Sequence, residues 1–433
     1  MKERLKTAAL TLLVAISLVQ SYLLIYRLPG TGSVVVSSAG YVRTDEMGEQ
    51  RSVEDMLYPD RMIIHMGSDK HTIFYPNSAF YKLIYARIQA RDFAAFQPQP
   101  IAAEDWEKIA VNNPGIELSF GSGLPVSLLQ KTMKLTVDPT FETADINRIW
   151  IYSGTGEEKP RAFFFSANGQ DVYEAKQLDL TVQDVLQHVA FGEEWTPYTP
   201  LKKHTLYVPS KPVVLSETVL ETDAFTSDQM QRNLFADPAV TRNIHEQDGS
   251  EIYTDSKRSL QIEDDGRWMT YTDPAAVPAT VADATESVLS AVDFINQHGG
   301  WNGQYRAELS EGEASSTDSD LNVRFQQYYG SLPVLGSGTV RYGYMNLILQ
   351  QGTVSFYERS LLETPREGKQ GPQYKLVGGQ ELIDRIAKVE QVHGLKVVDL
   401  YPAYTPRMNG DTLRLVPGWV AKLSNGTNAT FTN

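Results

Sequence analysis

The sequence predicts an α+β protein. An N-terminal transmembrane helix leads into an extracytoplasmic mixed α/β domain and two smaller domains of helix plus antiparallel meander. Three observations carry this reading. No residue from Thr7 to Tyr26 is charged. Beyond that run, short strand-like segments are separated by turn signals such as Asn168-Gly169 and Asp265-Gly266. In the last third, a helix pattern followed by strands occurs twice. The expected domains are 1–29 (cytoplasmic stub and anchor), 30–197 (N-terminal extracytoplasmic α+β), 198–277 (central, β-rich) and 278–433 (C-terminal helix on meander).

The uncharged run comes first. Its 20 residues make a helix about 30 Å long, one hydrocarbon thickness. Lys2, Arg4 and Lys6 precede it and only Arg27 closely follows, so the N-terminus is expected inside and the rest of the chain outside. A cleaved signal peptide is the competing reading, but its apolar core spans only about 7–15 residues. Ser37-Ser38-Ala39 resembles a cleavage triplet yet lies too far past the run. A single-pass, uncleaved anchor in the cell membrane is therefore expected. No cysteine is present to be acylated, so a lipoprotein is excluded.

Within the outer portion, Val34 to Val36 reads as a first strand. Ser52 with Asp55 forms a helix-capping pattern that Pro59 limits. Arg61–Met66 and His71–Tyr75 form a hairpin about Gly67-Ser68-Asp69. Asn77 is expected to cap a helix burying Phe80, Leu83, Ile84 and Ile88, and a second helix covers Ala103 to Val111. Strands follow at Ile146–Tyr152, Arg161–Ser166 and Val172–Lys176, then a helix over Val182–Phe191 and a Pro-rich linker, Trp195 to Pro200. Leu206–Val208 and Val213–Leu220 are strands. Thr226 or Ser227 caps a short helix carrying Met230, Leu234 and Phe235. The central meander is Glu251–Thr254, Leu260–Glu263 and Trp268–Tyr271. One of Trp268 and Tyr271 should be mainly buried, since strand neighbours alternate faces. Two C-terminal helices, Val281–Gln297 and Gln380–His393, each lead into strands, and the acidic tract Glu311 to Asp320 reads as a loop.

Composition narrows the function classes. A formal charge of −14 argues against nucleic acid, which wants a basic face. The absence of cysteine removes disulfides, zinc-thiolate sites and thiol nucleophiles together. No catalytic residue, metal set or cofactor motif emerges. The seven histidines, at 65, 71, 188, 204, 245, 298 and 393, include no i, i+4 pair. His298 and His393 precede helix-ending glycines, where a cation suits the helix dipole. Gly121-Ser122-Gly123 and Gly336-Ser337-Gly338 lack the spacing of a nucleophile elbow. Asp318-Ser319-Asp320 lacks the glycine and distal glutamate of a calcium loop.

Three segments resemble the YycH family of membrane-anchored regulators. They are the opening MKERLKTAALTLLVAISLVQSYLLIY, the segment RIWIYSGTGEEKPRAFFFSANGQDVYEAK, and NLFADPAVTRNIHEQDGSEIYTDSKRSLQIEDDGRWMTYTDP from Asn233 to Pro274. The resemblance implies an extracytoplasmic, non-enzymatic protein of Gram-positive bacteria. It would act with a YycI-like protein on the sensor kinase of the WalK–WalR (YycG–YycF) two-component system. The alternatives are a cell-envelope enzyme and an anchored inhibitor or chaperone of exported enzymes. Besides the kinase and the YycI-like protein, the lipid bilayer is an expected partner and nucleic acid is not. In the anchor, Thr7, Thr11 and Ala15 form a small-residue ridge, with Ser21 near the same side; such ridges let membrane helices approach closely.

Overall fold

The computed structural model describes residues 4, 6, 47–274, 283–311, 321–350 and 353–431. The chain divides into two compact units, Met1–Arg43 and Thr44–Asn433, and every described sheet lies in the second. The expected strand Val34–Val36 and most of the acidic tract lie outside the described residues.

The first sheet takes ten strands consecutive in the chain: β1 (Arg61–Met66), β2 (His71–Phe74), β3 (Asp92–Pro100), β4 (Pro114–Pro125), β5 (Lys134–Thr136), β6 (Asp145–Tyr152), β7 (Arg161–Ser166), β8 (Asp171–Leu178), β9 (Tyr198–Leu201) and β10 (Leu206–Pro209). Their spatial order is β10-β9-β2-β1-β4-β6-β7-β8-β3-β5. Only β3 and β5 run parallel. The helices between them are α1 (Ala79–Gln89), α2 (Trp106–Asn112), α3 (Val126–Thr132), α4 (Pro139–Glu142) and α5 (Val182–Ala190). The stripe that α1 buries is Tyr81, Ile84, Tyr85 and Ile88, at 3.6-residue spacing, and Leu83 points out. Its N-cap is Ser78 rather than Asn77, which sits at φ +65° and donates to the Gly330 carbonyl at 2.9 Å. Thr181 and Asp184 form a reciprocal capping box that starts α5.

The second sheet begins with β11 (Val213–Glu221). After β12 (Asp223–Ala224) and α6 (Ser227–Leu234, capped by Thr226) comes the meander: β13 (Arg242–His245), β14 (Glu251–Thr254), β15 (Ser259–Glu263) and β16 (Trp268–Thr272). Helix α7 (Ala284–Gln297) is followed by β17 (Gln304–Glu311), β18 (Leu321–Tyr329), β19 (Leu332–Pro333), β20 (Tyr344–Gln350), β21 (Thr353–Ser360) and β22 (Leu362–Glu363). The chain closes with β23 (Lys369–Leu376), α8 (Gly379–His393), β24 (Val397–Asn409), β25 (Thr412–Leu423) and β26 (Asn428–Phe431). The order β13-β14-β15-β16-β21-β20-β18-β17 makes a nine-stranded sheet with β19 on β18. The order β23-β11-β25-β24, with β26 on β25, makes a five-stranded one.

Sheet membership crosses the domain boundaries expected from the sequence. The supposed linker becomes β9, whose Tyr198 pairs with His71 of β2. The central meander shares a sheet with the C-terminal strands, through β16 and β21. One continuous apolar core runs from Ile64, Leu118 and Phe164 in the first sheet to Val288 of α7 and Phe325 and Tyr357 in the third, nine-stranded sheet. That third sheet is covered on both faces. Met269 and Tyr271 face the α7 core, while Trp268 lies against Tyr344 and under the Arg341 guanidinium, 5.1 Å from its ring centre. Both Trp268 and Tyr271 are therefore buried, not one of them. His298 ends α7 as expected, but it is buried and bonded to the Asn233 carbonyl. Burial lowers its pKa, so it caps as a neutral ring and not as a dipole-stabilising cation.

Candidate functional site

Two polar clusters stand out against this apolar frame. The first sits at one end of the ten-stranded sheet. His65 and His71 are cross-strand partners in the β1–β2 ladder, and both are fully buried. Their Nδ1 atoms are 3.0 Å apart. Behind them, His65 Nε2 lies 3.4 Å from Glu117 of β4, and the His65 ring stacks on Trp150 at 4.9 Å. In front, Asp69 Oδ1 accepts from His71 Nε2 at 3.1 Å and from His204 Nε2 at 2.9 Å. His204 reaches in from the β9–β10 turn, where Lys202, Lys203 and His204 all adopt left-handed φ angles of 50°, 58° and 63°.

The charges in this cluster are set by their surroundings. The hydrogen bond from His204, aided by His71, lowers the Asp69 pKa. Burial is the main cause that lowers His71, to about 4, so it is neutral. Burial alone would raise Glu117, but Arg148 and His65 outweigh it and lower the pKa. Asp69 Oδ1 and the Nε2 atoms of His71 and His204 form a set able to hold a metal ion, all within 4.8 Å of one another. These residues lie 135 positions apart at the extreme, which is why a search for local spacing finds no metal set. The only signal in the sequence is Asp69-x-His71 at a hairpin turn.

The second cluster lines a cavity of about 320 Å³ bordered by all three large sheets. Arg61 of β1 grips Asp399 of β24 in a two-pronged pair, with Nη2 donating to Oδ2 at 2.7 Å. Arg306 of β17 donates to Tyr328 at 3.2 Å and pairs with Glu308. Beside them, burial raises the pKa of Asp60, and Arg61 and Arg306 only partly offset this. Two charge pairs, Arg61–Asp399 and Arg306–Glu308, thus stand on the cavity wall. Such a surface recognises polar ligands or simply fixes how the sheets meet.

Two sequence-family descriptions match the chain: "YycH protein, N-terminal domain" over residues 3–189 and "YycH protein, C-terminal domain" over residues 203–432. The chain belongs to the YycH family. It is 19% identical over 442 residues to the Bacillus subtilis (strain 168) "Two-component system WalR/WalK regulatory protein YycH". That alignment covers 98% of this chain and 95% of that protein. The crystal structure of YycH from Bacillus subtilis has the same fold, with a TM-score of 0.71 at 16% identity, covering 89% of this chain and 99% of that one. The mixed α+β architecture is thus that of the YycH family.

Arg4 and Lys6 are helical and exposed. Lys2, Thr7, Thr11, Ala15 and Ser21 lie outside the described residues, as does the whole run Thr7 to Tyr26. Among the described residues, no helix is long and apolar enough to cross a membrane. The hairpin tip Glu263-Asp264 is engaged by Arg341, at 2.7 and 2.8 Å.

Proposed function

We propose that this YycH-family chain is a non-enzymatic regulator of a WalK–WalR two-component system. It acts on the sensor histidine kinase, together with a YycI-like protein, through contacts in the membrane and outside it. The observation that supports this is the near full-length relation to a protein named as a WalR/WalK regulator. Lys2, Arg4 and Lys6 ahead of the uncharged run support a single-pass anchor with a cytoplasmic N-terminus and an extracytoplasmic Thr44–Asn433 unit. The test is phosphoryl flow. Kinase in membranes with and without this chain should differ in phosphate transferred to the response regulator; equal transfer overturns the reading.

The contact is proposed to run along Thr7, Thr11 and Ala15, with Ser21 near the same side. Each small-residue contact between membrane helices contributes only about 0.6 kcal/mol, so one substitution is nearly silent. The combined Thr7→Leu, Thr11→Leu, Ala15→Leu change should weaken co-purification with the kinase and shift its output, at equal membrane abundance. If both are unchanged, the regulatory contact lies in the outer unit.

A further inference from the structure

We propose that Asp69, His71 and His204 bind one divalent transition-metal ion of the zinc class, and that this ion staples the β9–β10 hairpin to β2. The donors suit that chemistry. Two imidazole nitrogens and one carboxylate oxygen match zinc and its neighbours, whereas calcium and magnesium want oxygen alone. A tetrahedral zinc ion with bonds of about 2.0–2.1 Å holds its ligands about 3.3 Å apart. Asp69 Oδ1 already lies 3.1 Å and 2.9 Å from the two nitrogens, within a few tenths of an ångström of that spacing, and the three ligand atoms all lie within 4.8 Å of one another. Three protein ligands leave a fourth position for water. The Asp69 side chain is 52% exposed, so an ion can enter from solvent.

The second observation is what stands behind His71. A metal-bound imidazole ordinarily passes its other N–H to a carboxylate or carbonyl, which fixes its tautomer. Here the partner is His65, at 3.0 Å, and His65 in turn meets Glu117 at 3.4 Å. With an ion on His71 Nε2, the protons fall into place. His71 Nδ1–H donates to His65 Nδ1, and His65 Nε2–H donates to the Glu117 carboxylate. Each ring carries one proton and every contact joins a donor to an acceptor. Without an ion, His71 spends its proton on Asp69. Both the His65–His71 and the His65–Glu117 contacts can then have donors only if the buried His65 ring takes a second proton. The buried relay therefore matches a metal ligand better than a bare hydrogen bond.

The third observation is where the site lies. β2 and β9 share one registered residue pair, His71 with Tyr198, so the main chain barely joins them. Further ties include Thr72 Oγ1 donating to the Thr196 carbonyl at 2.7 Å and a small apolar cluster including Tyr198 and Tyr207. The same turn reaches the five-stranded sheet, because Lys202 Nζ donates to Glu390 of α8 and to the Val397 carbonyl of β24. An ion at His204 would hold this turn between the first sheet and the last.

The test uses the full chain, purified without a polyhistidine tag and stripped with a chelator. Titration with Zn(II) should show one saturable equivalent, and Co(II) should give the visible bands of a low-symmetry nitrogen–oxygen site. Asp69→Asn and His204→Gln change exposed or turn residues with little change in size. Each should weaken binding by about tenfold or more and abolish the rise in melting temperature that Zn(II) gives the parent over its own metal-free form. Zn(II) should slow hydrogen exchange over residues 198–209 in the parent and not in either variant. The proposal is overturned if the parent takes up no saturable equivalent. It is equally overturned if binding survives both substitutions, since the ion would then sit on other side chains such as the exposed His245.

Discussion

The core beneath α7 and the cavity among the three sheets both exclude most solvent, but different forces close them. Beneath α7, Val288, Val292, Ile295 and Met269 pack as hydrocarbon around Tyr357, whose hydroxyl accepts from the buried Arg359 at 3.2 Å, and burying such apolar side chains contributes roughly 1.5–3 kcal/mol each. In the cavity, Arg61, Asp399, Arg306 and Glu308 are paired. Attraction there is largely offset by the cost of taking the ions from water. The first region supplies stability. The second chiefly dictates which geometry is tolerated, because a shift of the first sheet against the five-stranded one would part Arg61 from Asp399.

The largest expected effect extends the apolar side of this contrast to the opposite face of the nine-stranded sheet, away from α7. Trp268 is fully buried against Tyr344. Trp268→Ala should cost about 3–5 kcal/mol in a denaturant titration. A loss below about 1 kcal/mol would make Trp268 a surface residue in solution, available for binding.

Next in size is a polar group placed inside the apolar side. His188 of α5 is buried, and neither ring nitrogen has a hydrogen-bond partner among the described residues. Burial, with Arg87 nearby, lowers its pKa from about 6.5 to about 4. The folded state thus resists protonation that the unfolded state accepts. Stability contributed by the neutral ring is present above pH 6.5 and lost as pH falls towards 4, by up to about 3 kcal/mol. His188→Leu should flatten that part of the pH–stability curve. Parallel curves for parent and variant would show that His188 keeps its solution pKa.

The smallest effect breaks the charged side. Arg61→Met strands Asp399 and should cost about 2–3 kcal/mol, the pair being only about four-fifths shielded, with 19% and 21% of the side chains exposed. Arg61→Met combined with Asp399→Leu should cost less than about 1 kcal/mol. Two losses that simply add would mean the pair is uncoupled and the contrast between the regions fails.

Much of the local structure was legible. The β1–β2 hairpin, the Asn168-Gly169 turn, the β14–β16 meander and the Thr226 cap all came from residues within a few positions of one another. β3 and β4 were not anticipated, although β4 lies in the interior of the first sheet. β3 carries Pro98 and Pro100, and Ala95 has a φ of +56°. β4 contains Gly121 and Gly123 at positive φ and shifts register between Ser119 and Leu124. Both look like loops to a reading based on alternation, because bulges break the period of two.

The amino-acid sequence by itself determined where turns fall, where helices start, and that an uncharged apolar run opens the chain. These are settled by backbone preferences and charge within one or two turns of chain. It could not determine that β9 would join β2, that β16 would join β21, or that His204 would arrive beside Asp69 and His71. Strand pairing is decided by which edges remain open once the apolar faces are covered, and main-chain hydrogen bonds carry no sequence label. The histidine cluster and the charged cavity are products of that assembly, so only the tertiary structure could bring them into view.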